Sequence, residues 1–253
     1  MVVTMSFAGN TCNNMFQYAV LRIIAQKNNC DFYVPEIARQ NLQKLFPQGL
    51  DWGVDMFEPK KIWYETPEQL FDPSILHVDT DTYMHGFFQT HKYFDGYEEF
   101  VQKLFPTVKT PAEGLCIVHY RGADYVGGWV DLPMSYYSKA MNAIKEQLPN
   151  VQFLIVTDDK AEAARRFPDI NISNNEDFLE DFTLLVSAPY LILSNSSVSW
   201  WGGYLNQSAE IIAPKRWFNY RMNYHFGGLG KTEINREDWY PIDIKNNYFT
   251  FID

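Results

Sequence analysis

Along this chain, short unbroken apolar runs alternate with stretches in which apolar residues recur every three or four positions. The opening MVVTMSF predicts a strand, and the polar turn AGNTCNN follows it. From Asn14 onward Met15, Phe16, Ala19, Val20, Ile23 and Ile24 fall on one helical face, which predicts an amphipathic helix. CDFYV predicts a second strand. Between 35 and 80 the residues Pro35, Pro47, Pro59, Pro67 and Pro73 break the chain into short helices and loops. TYMHGFF, at 82–88, predicts a strand, and 93–105 a helix with an acidic first half.

TVKTPAEG, at 107–114, is the most linker-like stretch and divides the chain into lobes 1–110 and 111–253. Beyond it the pattern is regular: strand LCIVHY, helix 134–148, strand VQFLIVT, a helix from Asp159, helix 177–187, strand YLILS, helix 197–206 and strand EIIAP. Strands apolar on both faces and separated by helices imply a parallel sheet covered on both sides, so the expected class is α/β with two lobes. Such sheets present their ligands to the carboxyl ends of the strands.

Composition narrows the function. A net charge of −10 and a pI near 5.0 leave no basic footprint for nucleic acid or anionic lipid. A local cluster of donors can still bind a small anion against that field. Cys12, Cys30 and Cys116 form no CxxC pair, which fits a reduced compartment without a zinc site. No apolar run reaches the length of a membrane span, and the first residues lack the pattern of a signal peptide. The expected location is cytoplasmic, or peripheral to a membrane through a partner.

Four strand ends carry polar residues. His119, Arg121 and Asp124 follow LCIV; the guanidinium suits a phosphate or carboxylate, and Asp124 could hold it in place or act on a substrate hydroxyl. Thr157, Asp158 and Asp159 end the next strand, where an aspartate either caps the following helix or accepts hydrogen bonds from a nucleoside. LSNSSVSWWGGYLN sets Ser194, Asn195, Ser196 and Ser197 before a helix whose first N–H groups form an anion site. Gly202 and Gly203, poor helix formers, imply close packing there. At the amino terminus Gly9, Asn10, Asn13 and Asn14 offer backbone and amide donors, without the GxGxxG of a dinucleotide site. The DTD at 79–81 precedes a strand and reads as a loop, not as a metal site. Together these residues point to a nucleotide diphosphate held without a metal.

The same stretches resemble glycosyltransferase family 11, the α-1,2-fucosyltransferases. GNTCNNMFQYA is similar to that family's GGLGNQMFQYA, and HYRGADY to its HxRRxDY at His119, Arg121, Asp124 and Tyr125. HGFFQTHKYF, FLIVTDD, LSNSSVSWWGGYLN and IIAPKRWF resemble further family stretches in the same order. The resemblance implies a GT-B-type fold, in which two Rossmann-like lobes with parallel sheets face a central cleft. The 111–253 lobe would bind the donor and the 1–110 lobe the acceptor, with the aromatic and proline-rich stretch 46–73 as the place to look. It also implies GDP-fucose as co-substrate and no cofactor. L-fucose would pass, with inversion, to a glycan hydroxyl, α-1,2 to galactose. By that analogy Arg121 binds the phosphates beside Ser196 and Ser197, with His119 and Asp158 near the nucleoside. Ser194, Asn195, Gly9 and Asn13 complete the donor set.

The chain departs from the family at Gly122, where a second arginine stands, at Ala123, and in the first loop at Asn10, Cys12 and Asn14. Lys215 or Arg216 could supply the missing charge. An Arg-bound Asp124 is a candidate catalytic residue but a poor base. The rival expectations are a sibling transferase using another nucleotide-activated deoxysugar and a non-catalytic sugar-nucleotide or glycan-binding protein.

Overall fold

The computed structural model describes residues 1–66, 69–110, 114–128 and 130–214, and the backbone of 249–252. They fall into two compact units, Met1–Pro106 and the described residues from Thr107 onward.

The first unit holds a parallel sheet ordered β2-β1-β4-β3, with β1 Val2–Met5, β2 Asp31–Phe32, β3 Lys61–Tyr64 and β4 Thr82–His85. Helix α1, Thr11–Asn28, is buried on nearly every side rather than along one stripe, and it begins one turn before the apolar pattern does. The buried polar residues of that extra turn explain this. Asn14 Nδ2 donates to the Ala8 carbonyl (3.1 Å) and to Gln17 Oε1 (3.0 Å), and its Oδ1 accepts from Asn41 Nδ2 (3.0 Å) on α2, Glu36–Gln43. Asn14 therefore joins two helices and is no ligand donor.

Three further expectations for this unit are corrected. The helix expected over 93–105 is a 3₁₀ turn, His91–Tyr93, followed by α3, Glu98–Leu104; between them Gly96 takes φ +79°, which no helix continues. The strand expected over 82–88 stops at His85. There the Glu65 carboxylate accepts the Phe87 and Phe88 N–H groups (2.7 and 3.0 Å), and Phe88 has φ +55°. Strand β3 lies in the stretch expected to hold only helices and loops. It is an edge strand paired on one side, with exposed Ile62 and Tyr64, so it lacks the apolar run of a buried strand. The 79–81 loop is occupied internally: Asp81 accepts the Val2 N–H (2.8 Å) and pairs with Lys60 (2.7 Å), and Asp79 pairs with Lys61.

The second unit follows its pattern closely, apart from strands at 171–172 and 249–252 that the pattern does not predict. It comprises β5 Leu115–Tyr120, α4 Met134–Gln147, β6 Gln152–Thr157, α5 Lys160–Arg166, β7 Asn171–Ile172, α6 Phe178–Ser187, β8 Tyr190–Ile192, α7 Ser197–Leu205, β9 Glu210–Pro214 and β10 Phe249–Ile252. All pairings are parallel, in the order β10-β9-β8-β5-β6-β7. Both parallel α/β sheets of the expected class are thus present.

One face of β5 packs Cys116, Val118 and Tyr120 against Tyr136, Tyr137, Ala140 and Ile144 of α4 and against Phe167. Alternation along the strand turns His119 to the other face, towards α7. Gly202 lets α7 approach α6, since a Cβ there would lie 2.7 Å from Leu185 Cβ. Trp200 and Trp201 are buried beside it. Burial pushes the Cys12 and Cys116 thiols well up, which makes both inert at neutral pH. Among the described residues no helix is long and apolar enough to cross a membrane.

Candidate functional site

Strand order in the second sheet runs outward in sequence from β5 on one side and from β8 on the other. The neighbours β5 and β8 therefore form a topological switch point, where the loops leaving them diverge and open a crevice. His119, Arg121 and Asp124 come from the end of β5 or the loop after it, Asp158 from the end of β6, and Ser194, Asn195, Ser196 and Ser197 from the β8–α7 turn. All eight gather at the carboxyl edge of this sheet.

Arg121 leaves β5 between two carboxylates. Its Nη1 donates to Asp158 and its Nη2 to Asp124 (2.6 Å), while the guanidinium lies 5.3 Å from the Tyr125 ring centre. Other N–H donors of its fork remain for a ligand. The second Asp158 oxygen accepts the Gly122 N–H (2.9 Å), so Asp158 serves first as the partner of this loop. Asp159 is the helix cap: its carboxylate accepts the Glu162 N–H at the start of α5. Asp124 is mostly exposed.

The Gly122 position explains one departure from the family motif. A Cβ there would sit 2.6 Å from Asp159 Cβ and 3.2 Å from Tyr120 Cε1, so the space a larger side chain needs is filled. Ala123 carries φ +27°, a strained value for a residue with a Cβ.

Ser196 caps α7 by accepting the Val198 N–H (3.3 Å), and Ser197 opens the helix, whose first-turn N–H groups face out of its start. His119 is buried beneath them. Its Nδ1 lies 2.8 Å from Ser194 Oγ and 2.6 Å from Ser199 Oγ. Burial, and secondarily the Arg121 charge, push the His119 pKa down to about 3, so the ring is neutral near pH 7. Asn195 holds the loop instead of facing outward with its amide nitrogen: Nδ2 donates to the Val130 carbonyl (2.9 Å).

Several residues here were not singled out from the sequence. Ser199, fully buried, completes the His119 cluster; its signal is the SxxS repeat with Ser196, which places it one turn into α7. Arg166 donates to both Asp131 oxygens (2.9 and 2.8 Å) and to Glu162 (2.6 Å), and Asp131 also accepts the Gly127 N–H (2.9 Å). This network fixes the loop after Arg121, and nothing in the spacing of 131 and 166 announces it.

In the first unit Gly9 has φ +81°, and a Cβ on it would lie 2.2 Å from Asn13 Nδ2. Asn13 Oδ1 accepts from Gln89 Nε2 (2.8 Å), and Asn10 precedes α1 without capping it through its side chain. These residues share a turn at the carboxyl end of β1. Lys215 and Arg216 lie outside the described residues.

Known proteins are similar to this chain. An Alpha-1,2-colitosyltransferase of Escherichia coli is 29% identical over 160 residues, covering 53% of this chain and 55% of that protein. The O-antigen biosynthesis glycosyltransferase WbnK of Escherichia coli is 28% identical over 116 residues, covering 43% and 36%. The matches thus span about half of the first relative and about a third of the second. Among solved structures, the E. coli heptosyltransferase WaaC with ADP aligns with a TM-score of 0.43 and 10% identity, over 84% of this chain and 87% of that one. The family model for Glycosyl transferase family 11 matches residues 2–243, nearly the whole length, and the chain belongs to that family.

Proposed function

We propose that this protein transfers a deoxysugar, L-fucose or its 3-deoxy relative colitose, from the GDP-activated form to a glycan hydroxyl, with inversion and without a metal ion. The observation that carries the reading is the convergence of Arg121, His119 and the α7 N-terminus at the switch point of the second sheet. Family membership supports glycosyl transfer, and the name of the first relative supports a deoxysugar.

In this reading the diphosphate lies against the start of α7, where Ser196, Ser197 and the first-turn N–H groups face it, with Arg121 on its flank. As the glycosidic bond breaks, negative charge grows on the leaving phosphate. Fixed donors then bind it more strongly in the transition state than in the ground state. The sugar passes through an oxocarbenium-like state and the acceptor hydroxyl attacks the opposite face. Asp124 is held by Arg121 beside this site. The second unit serves as the donor lobe and the first as the acceptor lobe.

The test is thermal stability with GDP, UDP, ADP and dTDP, each with and without EDTA. A ligand at a hundred times its Kd adds about 2.7 kcal/mol, a visible shift. Stabilisation by GDP alone, unchanged by EDTA, is expected. Preference for another nucleotide discards the donor, and no response to any discards the transferase reading in favour of a non-catalytic protein. Turnover of GDP-fucose against GDP-colitose then separates the two sugars.

A further inference from the structure

We infer that Ser199 is a positioning residue for His119: it holds Nδ1 as a bare acceptor, so that the ring carries its proton on Nε2 and offers an Nε2–H donor to a nucleoside diphosphate at the start of α7. The inference rests on the donor site proposed above.

Counting hydrogens carries the argument. Ser194 Oγ, Ser199 Oγ and His119 Nδ1 form a closed triangle with sides of 2.8, 2.6 and 3.0 Å. Ser199 Oγ also accepts the Ser194 backbone N–H (2.9 Å). All three residues are buried. With Nδ1 bare, the Ser199 hydroxyl donates to Nδ1, the Ser194 hydroxyl donates to Ser199 Oγ, and every hydrogen finds an acceptor. With a proton on Nδ1, three hydrogens meet only two oxygens, and a buried hydroxyl is left with nothing to donate to, a costly state. The triangle is therefore consistent with one tautomer of the neutral ring.

The opposite ring nitrogen is then the donor. His119 is 5% exposed and its Nε2 makes no hydrogen bond to any described residue, yet Nε2 is not one of the fully enclosed polar atoms that lack a partner, so it is still reachable. A reachable donor on an otherwise enclosed ring suits the oxygens of a nucleoside diphosphate next to the α7 N–H groups. Being neutral, it adds a directed hydrogen bond where Arg121 already supplies charge. Ser199 need touch no ligand to matter; it sets which nitrogen faces one.

The experiment is ¹H–¹⁵N correlation of the imidazole nitrogens in the full chain near neutral pH, with the His119 signals identified by their loss in His119→Gln. Wild type is expected to show a protonated Nε2 and a bare Nδ1. Ser199→Ala is expected to give a tautomer mixture and GDP binding weaker by about three- to tenfold, the loss of one hydrogen bond. Ser194→Ala keeps the shorter Ser199 bond and is expected to keep the tautomer, and Ser199→Thr to restore both signals and affinity. A merely structural role for Ser199 moves the melting temperature but leaves the tautomer alone. A protonated Nδ1 in wild type, or an unchanged tautomer in Ser199→Ala, overturns the inference even where GDP binds well. Should Ser199→Ala fail to fold, the wild-type and Ser194→Ala spectra decide. If wild type binds no nucleotide, the donor reading falls and this role with it, whatever the tautomer.

Discussion

Arg121 and Asp158 are joined across neighbouring strand ends, and the other oxygen of Asp158 holds the backbone N–H of Gly122. Arg121 is thereby anchored, at the cost of sharing its charge with two carboxylates. Asp158 grips both side chain and backbone, whereas Asp124 grips only an Nη and is largely exposed.

That asymmetry predicts opposite outcomes for two isosteric changes. Asp124→Asn removes a competitor for the guanidinium and is expected to tighten GDP binding severalfold, with stability changed by no more than about 0.5 kcal/mol. Asp158→Asn loosens the Arg121 loop and is expected to weaken GDP binding and lower the melting temperature. Calorimetric titration and thermal unfolding measure both, and equal effects from the two variants contradict the assignment.

Restoring the family's second arginine is expected to harm the protein. In Gly122→Arg the new Cβ meets Asp159 Cβ and the Tyr120 ring, and Asp159 is the cap of α5. Overpacking of this kind costs about 1–3 kcal/mol. Gly122→Ala tests the Cβ alone and is expected to lose stability in denaturant unfolding; a neutral result shows that the loop has room.

The loop after Arg121 depends on a pair far from it in sequence. Arg166 and Asp131 side chains are 13% and 16% exposed and joined by two bonds. Asp131→Ala leaves the guanidinium with Glu162 alone and frees the Gly127 N–H; it is expected to cost about 3 kcal/mol. Hydrogen exchange should rise across 122–132 more than elsewhere in the second unit.

Stability is expected to fall as pH drops below the ordinary histidine range. His119 has its folded pKa depressed to about 3, mainly by burial, from an ordinary value near 6.5. Between those values the unfolded chain binds a proton that the folded chain refuses. Its contribution is therefore complete above about pH 6.5 and is lost as pH falls towards 3, with a slope approaching about 1.4 kcal/mol per unit. Unfolding of wild type and His119→Gln in urea between pH 4 and 8 isolates this slope, which the variant should lack.

Much of the second unit was legible because its strands are buried on both faces and its helices begin at clear caps. Asp159, Asp177 and Ser196 each accept an N–H at the start of the helix that follows them. The first unit was less legible for reasons visible in its residues. Helix α1 is buried all round, so Asn14 and Gln17 hide polar contacts inside it and blur its start. Edge strand β3 has one paired side and exposed apolar residues, so no period marks it.

The α/β class, the order of elements from Leu115 to Pro214 apart from the two-residue β7, and the polar strand ends were readable along the chain, because burial period and capping are local properties. The sequence also carried the family, through motifs whose residues are contiguous. What those residues do to one another depends on how the chain packs. Packing placed β8 beside β5, brought Ser199 to His119 across 80 positions and Arg166 to Asp131 across 35, and filled the space beside Gly122 with Asp159. Such partnerships depend on sheet order and on which face a side chain takes, and no local pattern along the chain encodes a contact between distant strand ends.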